Sequence, residues 1–338
     1  MPPKGMCLDM DLEDIDSNAN SGTWHIDPSG TMRHTRTGMK VSPDAGIIFE
    51  GREYKLGPQD IIFENDRIGA GACGVVMKGT IKATGEKVAV KTIRIDDKAR
   101  REQFVNEVKS LVSATGCPNL VQWYAGFINK ETNAVQVVLE FMDLGSLADL
   151  MKRLKGSGMP PNFLSNAAKQ VMEGLSHLHG RHILHRDIKP ENLLHNSKGE
   201  VKLTDFGIAK DMDSTLAVAG TFVGTVTYMA PERVTGSAYD WGADIWSVGM
   251  VFYVLATGKY PFADISTFPV LYEQLCEKPE PRLDEGLYPP NMCDIVAKCL
   301  TRDVDVRPET STLLQHPFIR EGVPSNEEMA AWLATLVS

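Results

Sequence analysis

Cysteine is sparse and unpatterned in this chain. Six residues are scattered along 338 positions, with no CxxC pair and no metal-ligand spacing. That excludes a disulfide framework and marks the thiols as reduced, in a protein expected in the cytoplasm. Long apolar runs are missing too. The longest, IWSVGMVFYVLA at 245–256, falls well short of the ~20 residues that cross a bilayer and reads as a buried helix. The opening MPPKGMCLDM has no apolar run, so no secretory signal is expected. Pro2 follows Met1 where N-myristoylation needs a glycine. Positive charge is in deficit: 35 Lys and Arg against 44 Asp and Glu leave −9. That balance argues against nucleic acid or an anionic membrane as the main partner. Internal repeats are absent.

What is present is a globular composition, 43% hydrophobic and 23% charged, long enough for one large or two ordinary domains. Residues 1–57 read as a loosely ordered tail. Acids gather first (Asp9, Asp11, Glu13, Asp14, Asp16), and a patch with Arg33, His34, Arg36 and Lys40 follows. Within it, TWHIDPSGTMRHT suggests a small hairpin. From 58 the pattern turns to short β-branched runs, DIIFENDRIG, CGVVMKGTI, KVAVKTIRI and AVQVVLEFM, separated by turn residues such as ATGE. One helix interrupts them. In REQFVNEVKSLV, Phe104, Val108, Leu111 and Val112 share a face, and Glu107 sits on it, where a carboxylate needs a partner. After 143 the chain turns helical, through SNAAKQVMEGLSHLHG, GADIWSVGMVFYVLATG, TFPVLYEQLCEK and PNMCDIVAKCLTR. The expected class is α+β: a small β-rich lobe over 58–142 and a larger helical lobe over 143–320. A C-terminal helix within 321–338 opens with a capping box from Ser325 to Glu328, and its Met329, Trp332, Leu333 and Leu336 are expected to pack back on the domain.

Chemistry concentrates in four stretches. GAGACGVV is a GxGxxGxV run, with Gly69, Gly71, Gly74 and Val76 as its fixed points. In a dinucleotide fold such glycines open a helix. Here VVMKGTI continues as a strand, so the loop joins two strands, and its glycines let backbone N–H groups approach phosphates. VAVK ends on Lys91 among apolar neighbours. It reads either as an edge lysine reaching water or as the partner of Glu107, because a buried ammonium and a buried carboxylate each need the other. So held, it reaches the α- and β-phosphates. HRDIKPENLL and DFG are the strongest stretches. Asp187 can accept a proton from an incoming hydroxyl, and Lys189 can neutralise a transferred phosphoryl group. Asn192 and Asp205 are oxygen ligands that suit Mg²⁺. A polar loop beside a helix would not explain four such residues at these spacings. YMAPE (228–232), DIWSVG (244–249) and Arg307 in DVDVRPET follow in order.

This ordered set resembles the eukaryotic protein kinases over roughly residues 60–320. The resemblance implies a two-lobed fold with ATP and Mg²⁺ between the lobes. Ile68, Gly69, Ala70, Gly71, Ala72, Cys73 and Gly74 would cover the nucleotide, and Val76, Ala89 and Leu194 would sandwich adenine. Glu140, Phe141 and Met142 form the implied hinge, with Leu139 as gatekeeper. Leu111, Trp123, His185 and Phe206 form the implied spine. Glu232 is expected to pair with Arg307, and Asp244 to brace the catalytic loop.

Lys189 marks the Ser/Thr type. TFVGT and YMAPER, with CPNLV, EFMDLGSLADL and GEVKLTDFG, resemble the MAP kinase kinases, especially those of plant or protist type. By that resemblance the chain is a dual-specificity kinase that phosphorylates Thr and Tyr in the activation loop of a MAP kinase. Its own activation loop is STLAVAGTFVGT (214–225), modified by an upstream MAP kinase kinase kinase on Thr215 and Thr221, with Ser214 as substitute and Thr225 left bare. Five residues separate Thr215 from Thr221, the plant-like spacing; the animal pattern would use the position of Ala217. Arg186 and Lys210 would clamp the added phosphate. Lys4 with Leu8, Met10 and Leu12 resembles a degenerate docking peptide, though the stretch reads equally as an acidic tail or an export-type leucine stretch. Glu191 departs from the family, which has Ser there. Two competing readings are a Ser/Thr kinase one tier up and a pseudokinase scaffold. Loss of Lys91, Asp187, Asn192 or Asp205 would mark the scaffold, and all four are present.

Overall fold

The computed structural model describes residues 24–26, 31–35, 37–42, 46–49, 52–54, 56–71, 74–95, 100–101, 104–105, 108, 112, 115–129, 134–206, 227–262 and 267–336. Over 24–54 the expected loose tail is corrected. The chain builds five short strands, β1 (Trp24–Ile26), β2 (Met32–His34), β3 (Lys40–Ser42), β4 (Gly46–Phe49) and β5 (Arg52–Tyr54), paired in chain order as one antiparallel sheet. The hairpin expected in TWHIDPSGTMRHT is β1 against β2, with Trp24 opposite His34. Between β2 and β3 the turn closes where Gly38 N–H donates to His34 O at 2.9 Å and His34 N–H donates to Met39 O at 2.9 Å. One face of this sheet is buried, with Met32, Val41 and Ile47 as its apolar members and His34 beside Met32.

The second sheet contains β6 (Ile61–Gly71), β7 (Gly74–Ile81), β8 (Lys87–Arg94), β9 (Trp123–Asn129) and β10 (Ala134–Glu140), in the order β6-β7-β8-β10-β9. Central strand β8 is covered on both faces. Val88 and Val90 join Ile61, Ile81, Ala125, Phe127 and Val138 on one side. Ala89 and Ile93 join the main core on the other. Strand alternation puts Lys91 on the face of Ala89 and Ile93. Against that core lies the helical segment within 100–112, whose Phe104, Val108 and Val112 are buried as expected, together with Val105. Leu111 and Glu107 lie outside the described residues.

Below the sheet the chain is helical. Helices span Leu147–Arg153, Pro161–His179, Trp241–Thr257, Pro290–Cys299 and Asn326–Ala334, close to the expected positions. TFPVLYEQLCEK forms an α-helix over Phe268–Tyr272 that widens to a π-turn over Glu273–Glu277. The apolar run 245–256 is the interior of Trp241–Thr257, and most of its side chains are fully buried. Among the described residues no helix is long and apolar enough to cross a membrane. The described cysteines, Cys117, Cys276, Cys293 and Cys299, are free thiols. Between the lobes β11 (Leu193–His195) and β12 (Val201–Leu203) form a two-stranded ribbon. Leu203 accepts from Val121 N–H at 3.0 Å and donates to Asn119 O at 2.9 Å, which sets the segment after β12 under the upper sheet.

Candidate active site

The glycine run lies along two paired strands, as its sequence implies. Gly69 pairs with Val76, Ala70 with Val75 and Gly71 with Gly74 across β6 and β7. Ala72 and Cys73 lie outside the described residues. Gly74 is required sterically: its φ is +136° and a Cβ there would stand 1.9 Å from Thr92 O. Ile68 is exposed. The residues assigned to adenine and its gatekeeper converge from four strands, β7, β8, β10 and β11. Ala89 and Leu139 face each other across β8 and β10 and are buried with Met142, while Val76 and Leu194 are half-buried against the same core.

The segment after β10 is anchored from below. Glu140 accepts Lys202 Nζ at 2.6 Å on one carboxylate oxygen and Gln122 N–H at 3.2 Å on the other. Lys202 lies inside GEVKLTDFG without a role of its own in that motif. Its signal is a lysine inside the buried strand VKL, where a charge needs a partner.

The loop 185–192 hangs on a buried acid. Asp244 accepts His185 N–H and Arg186 N–H, each at 2.8 Å, and contacts His179 Nε2 at 3.0 Å. Burial opposes its ionisation, but the His179 hydrogen bond and its other partners win, and its pKa lies below the ordinary value. These bonds hold Arg186 in a left-handed conformation, φ +68°, and Arg233 Nη1 ties Arg186 O at 2.7 Å. Asp187 follows. Lys189 Nζ lies 3.0 and 2.9 Å from its two carboxylate oxygens. Asn192 Nδ2 donates to Asp187 O at 2.7 Å and to Asp187 Oδ2 at 3.0 Å. Below, Glu232 and Arg307 form the expected pair, with contacts of 2.7 and 3.2 Å.

Lys91 is buried, and its ammonium meets Asp205 Oδ1 at 2.7 Å. Desolvation raises the Asp205 pKa, but the Lys91 charge and hydrogen bond more than offset it, so the carboxyl stays below its ordinary value. Phe206 turns inward and meets His185 edge-on at 6.2 Å. Burial pushes the His185 pKa down. Three of the four expected spine members, Trp123, His185 and Phe206, are buried. The structure therefore brings Lys91, Asp205, Asp187, Lys189 and Asn192 to one cleft. Lys210, Ser214, Thr215, Thr221 and the stretch with Lys4, Leu8, Met10 and Leu12 lie outside the described residues.

A family model described as "Protein kinase domain" matches residues 63–319. The chain is 40% identical over 274 residues to mitogen-activated protein kinase kinase 2 of Arabidopsis thaliana, covering 78% of this chain and 74% of that protein. It is 37% identical over 272 residues to mitogen-activated protein kinase kinase 1 of the same plant, covering 78% and 76%. To dual specificity mitogen-activated protein kinase kinase 1 of Dictyostelium discoideum it is 43% identical over 197 residues, covering 58% and 29%.

Proposed function

We propose, given that this chain belongs to the MAP kinase kinase family of protein kinases, that it transfers the γ-phosphoryl group of ATP to a Thr and a Tyr in the activation loop of a MAP kinase. The observation that carries the chemistry is the Asp187 carboxylate, fixed from both sides by Lys189 and Asn192. In the proposed step the acceptor hydroxyl oxygen attacks the γ-phosphorus. The bond from that phosphorus to the β–γ bridging oxygen breaks, ADP leaves with the electron pair, and the hydroxyl proton passes to Asp187. Lys189 offers positive charge to the phosphoryl group in flight. Lys91 positions the non-transferred phosphates, and the glycine run over 68–76 covers them.

Asp205 and Asn192 fit a magnesium ion. Asn192 spends its amide N–H on Asp187, which leaves its carbonyl oxygen as an acceptor. Asp205 uses Oδ1 for Lys91, which leaves Oδ2. Among the described residues there is no cluster of three or more His, Cys, Asp or Glu poised for a metal. Two oxygen donors suit a hard cation that keeps waters and phosphate oxygens. When bound, the ion neutralises phosphate charge.

The relatives' names, mitogen-activated protein kinase kinase and, for that of Dictyostelium discoideum, dual specificity, support a MAP kinase as the acceptor. The same reading has an upstream kinase phosphorylate Thr215 and Thr221, with Arg186 receiving the phosphate. Its Nε is buried and has no hydrogen-bond partner among the described residues. The test is mass spectrometry of a panel of MAP kinases after incubation with the phosphorylated chain. Phosphate on both Thr and Tyr of one activation loop is expected. Phosphate on Ser or Thr alone would overturn dual specificity, and an unmodified panel would overturn the substrate class.

A further inference from the structure

The five strands over 24–54 are joined to the upper lobe by packing as well as by the chain. Pairing sets Met32 opposite Val41 and Val41 opposite Ile47, so three side chains form one row across β2, β3 and β4. They are buried to 3%, 0% and 0% exposure, and Met39 to 0%. This row belongs to the continuous apolar core that holds Trp123 and Ile128 of β9, holds Phe104, Val105, Val108 and Val112 of the helical segment within 100–112, and runs on into the lower lobe. Strands β3, β4 and β5 pack against β9. At the contact, Ile47 occupies the place of an absent side chain: a Cβ on Gly126 would stand 2.5 Å from Ile47 Cδ1. A seat built on bare backbone is shape-specific, which general apolar adhesion is not.

We infer that this sheet is a positioning element for catalysis. Ile47 seated on Gly126, with Val41, Met39 and Met32 in the same buried layer, holds the helix within 100–112 in the arrangement where Lys91 meets Asp205. That arrangement is assembled in the structure that also contains the docked sheet. Lys91 Nζ lies 2.7 Å from Asp205 Oδ1, Phe206 is 2% exposed, and the helix buries Phe104 and Val108 completely. A module that packs on the assembled state and loses its seat when that state loosens raises the population of the assembled state. Strands this short need a surface to fold on, so the sheet and the helix stabilise each other through β9. The residues act at a distance from the phosphates, through the core they share with Phe104, Val108 and Val112. The inference rests on the kinase reading of the cleft but on no particular protein substrate.

The test uses the full chain in its phosphorylated form. Gly126→Ala drives a wedge under Ile47; adding Ile47→Ala returns most of the space, leaving Gln136 O at 3.3 Å as the remaining close neighbour. Three quantities are read: kcat, the KM for the protein substrate, and amide hydrogen exchange of residues 100–112. The wedge is expected to lower kcat by about tenfold to a hundredfold, since a misplacement of ~1 Å in a positioning group can cost ~10². It should leave the KM for the protein substrate within about twofold and speed exchange in 100–112. The paired variant should recover most of both effects. If the wedge variant does not fold, Ile47→Ala alone supplies the same readouts at smaller amplitude. Unchanged exchange in 100–112 with faster exchange confined to 24–54 would overturn the inference, as would a rise in kcat, which would make the sheet inhibitory. Exchange is measured without any substrate, so a failed choice of MAP kinase cannot be mistaken for a failed positioning role.

Discussion

Lys91 in the upper lobe and Asp187 in the lower lobe face the same cleft, yet their surroundings have little in common. Asp187 stands in a polar frame. Two backbone N–H groups and His179 hang on Asp244, Arg233 holds Arg186 O, and Arg307 holds Glu232 from beneath. Lys91 stands in an apolar frame, with Val76 and Val137 opposite it on the flanking strands and the helix and N-terminal sheet packed into the same core. A polar frame has one geometry and leaves a buried charge if any member goes. An apolar frame is held by area and shape and gives gradually. The floor of the cleft is therefore fixed, and the roof is the part that packing elsewhere can adjust.

The largest contrast comes from the cleft's two sides. Lys91→Met should lower phosphoryl transfer by ~10² or more, because it removes a group that positions phosphates. Its fold should persist, since Met replaces the stem and the Asp205 side chain, 36% exposed, turns to water. Normal thermal unfolding with near-normal kcat would show that Lys91 is an ordinary strand lysine. Arg307→Met should do the reverse and cost stability. All five guanidinium N–H donors are in use: contacts run to Glu232, Gly242 O, Thr301 O and Arg302 O, and the group lies over the Trp246 ring. Stranding Glu232 at 8% exposure should cost about 3–5 kcal/mol in denaturant unfolding. Replacing Glu232 by Leu in the same chain should return part of it. A neutral Arg307→Met would mean that the floor is apolar in its energetics after all.

The same contrast explains what could be read from the sequence. The floor was legible because polar frames need particular residues at particular spacings: Asp187, Lys189, Asn192, Asp205, Glu232, Asp244 and Arg307 all stood in motifs, and the described geometry brings them together. The glycine run was legible once its second half read as a strand. The sheet over 24–54 was not. Strands of three or four residues are too short to show alternation, and Met32, Val41 and Ile47 become neighbours only through pairing. Gly126 gave no signal, because the reason for it lies about eighty positions away at Ile47. Lys202 carried a signal, a charge in a buried strand, but nothing local names Glu140 as its partner.

One residue of the floor should add a pH dependence. His195 on β11 is fully buried; its Nδ1 faces Gly145 O at 3.1 Å and its Nε2 has no hydrogen-bond partner among the described residues. Burial first, then the Arg153 charge, hold its pKa down at about 4. An unfolded histidine titrates near ~6.5. Between those values the unfolded chain binds a proton that the native chain does not, so stability falls as pH drops through that window and is restored above it. The expected loss from neutral pH to ~5 is about 2 kcal/mol. His195→Val should reduce that loss without abolishing it, since His185 is also held down by burial. Unfolding curves at the two pH values decide it: an unchanged pH difference in His195→Val would place the titration elsewhere.

The smallest expected effect lies farthest from the cleft and tests how far the floor's frame extends. Ser325 caps the last helix: its Oγ accepts Glu328 N–H at 3.3 Å, and Glu328 Oε2 accepts Ser325 N–H at 2.8 Å. Ser325→Ala should cost about 1 kcal/mol. The helix keeps other anchors. Met329 and Leu333 are buried, Trp332 stacks on Phe163 at 4.6 Å, and Asn166 Nδ2 donates to Pro324 O at 2.9 Å and to Asn326 Oδ1 at 3.1 Å. Phe163 and Asn166 sit near the start of the helix Pro161–His179, whose last residue, His179, bonds Asp244. If that helix behaves as a rigid rod in a fixed floor, loosening its outer end leaves Asp244 and Asp187 where they are. Stability should then drop slightly in Ser325→Ala while kcat stays within about twofold. A fall in kcat larger than the stability loss explains would show strain travelling along the helix to Asp244, and the floor would have to be counted as adjustable, like the roof.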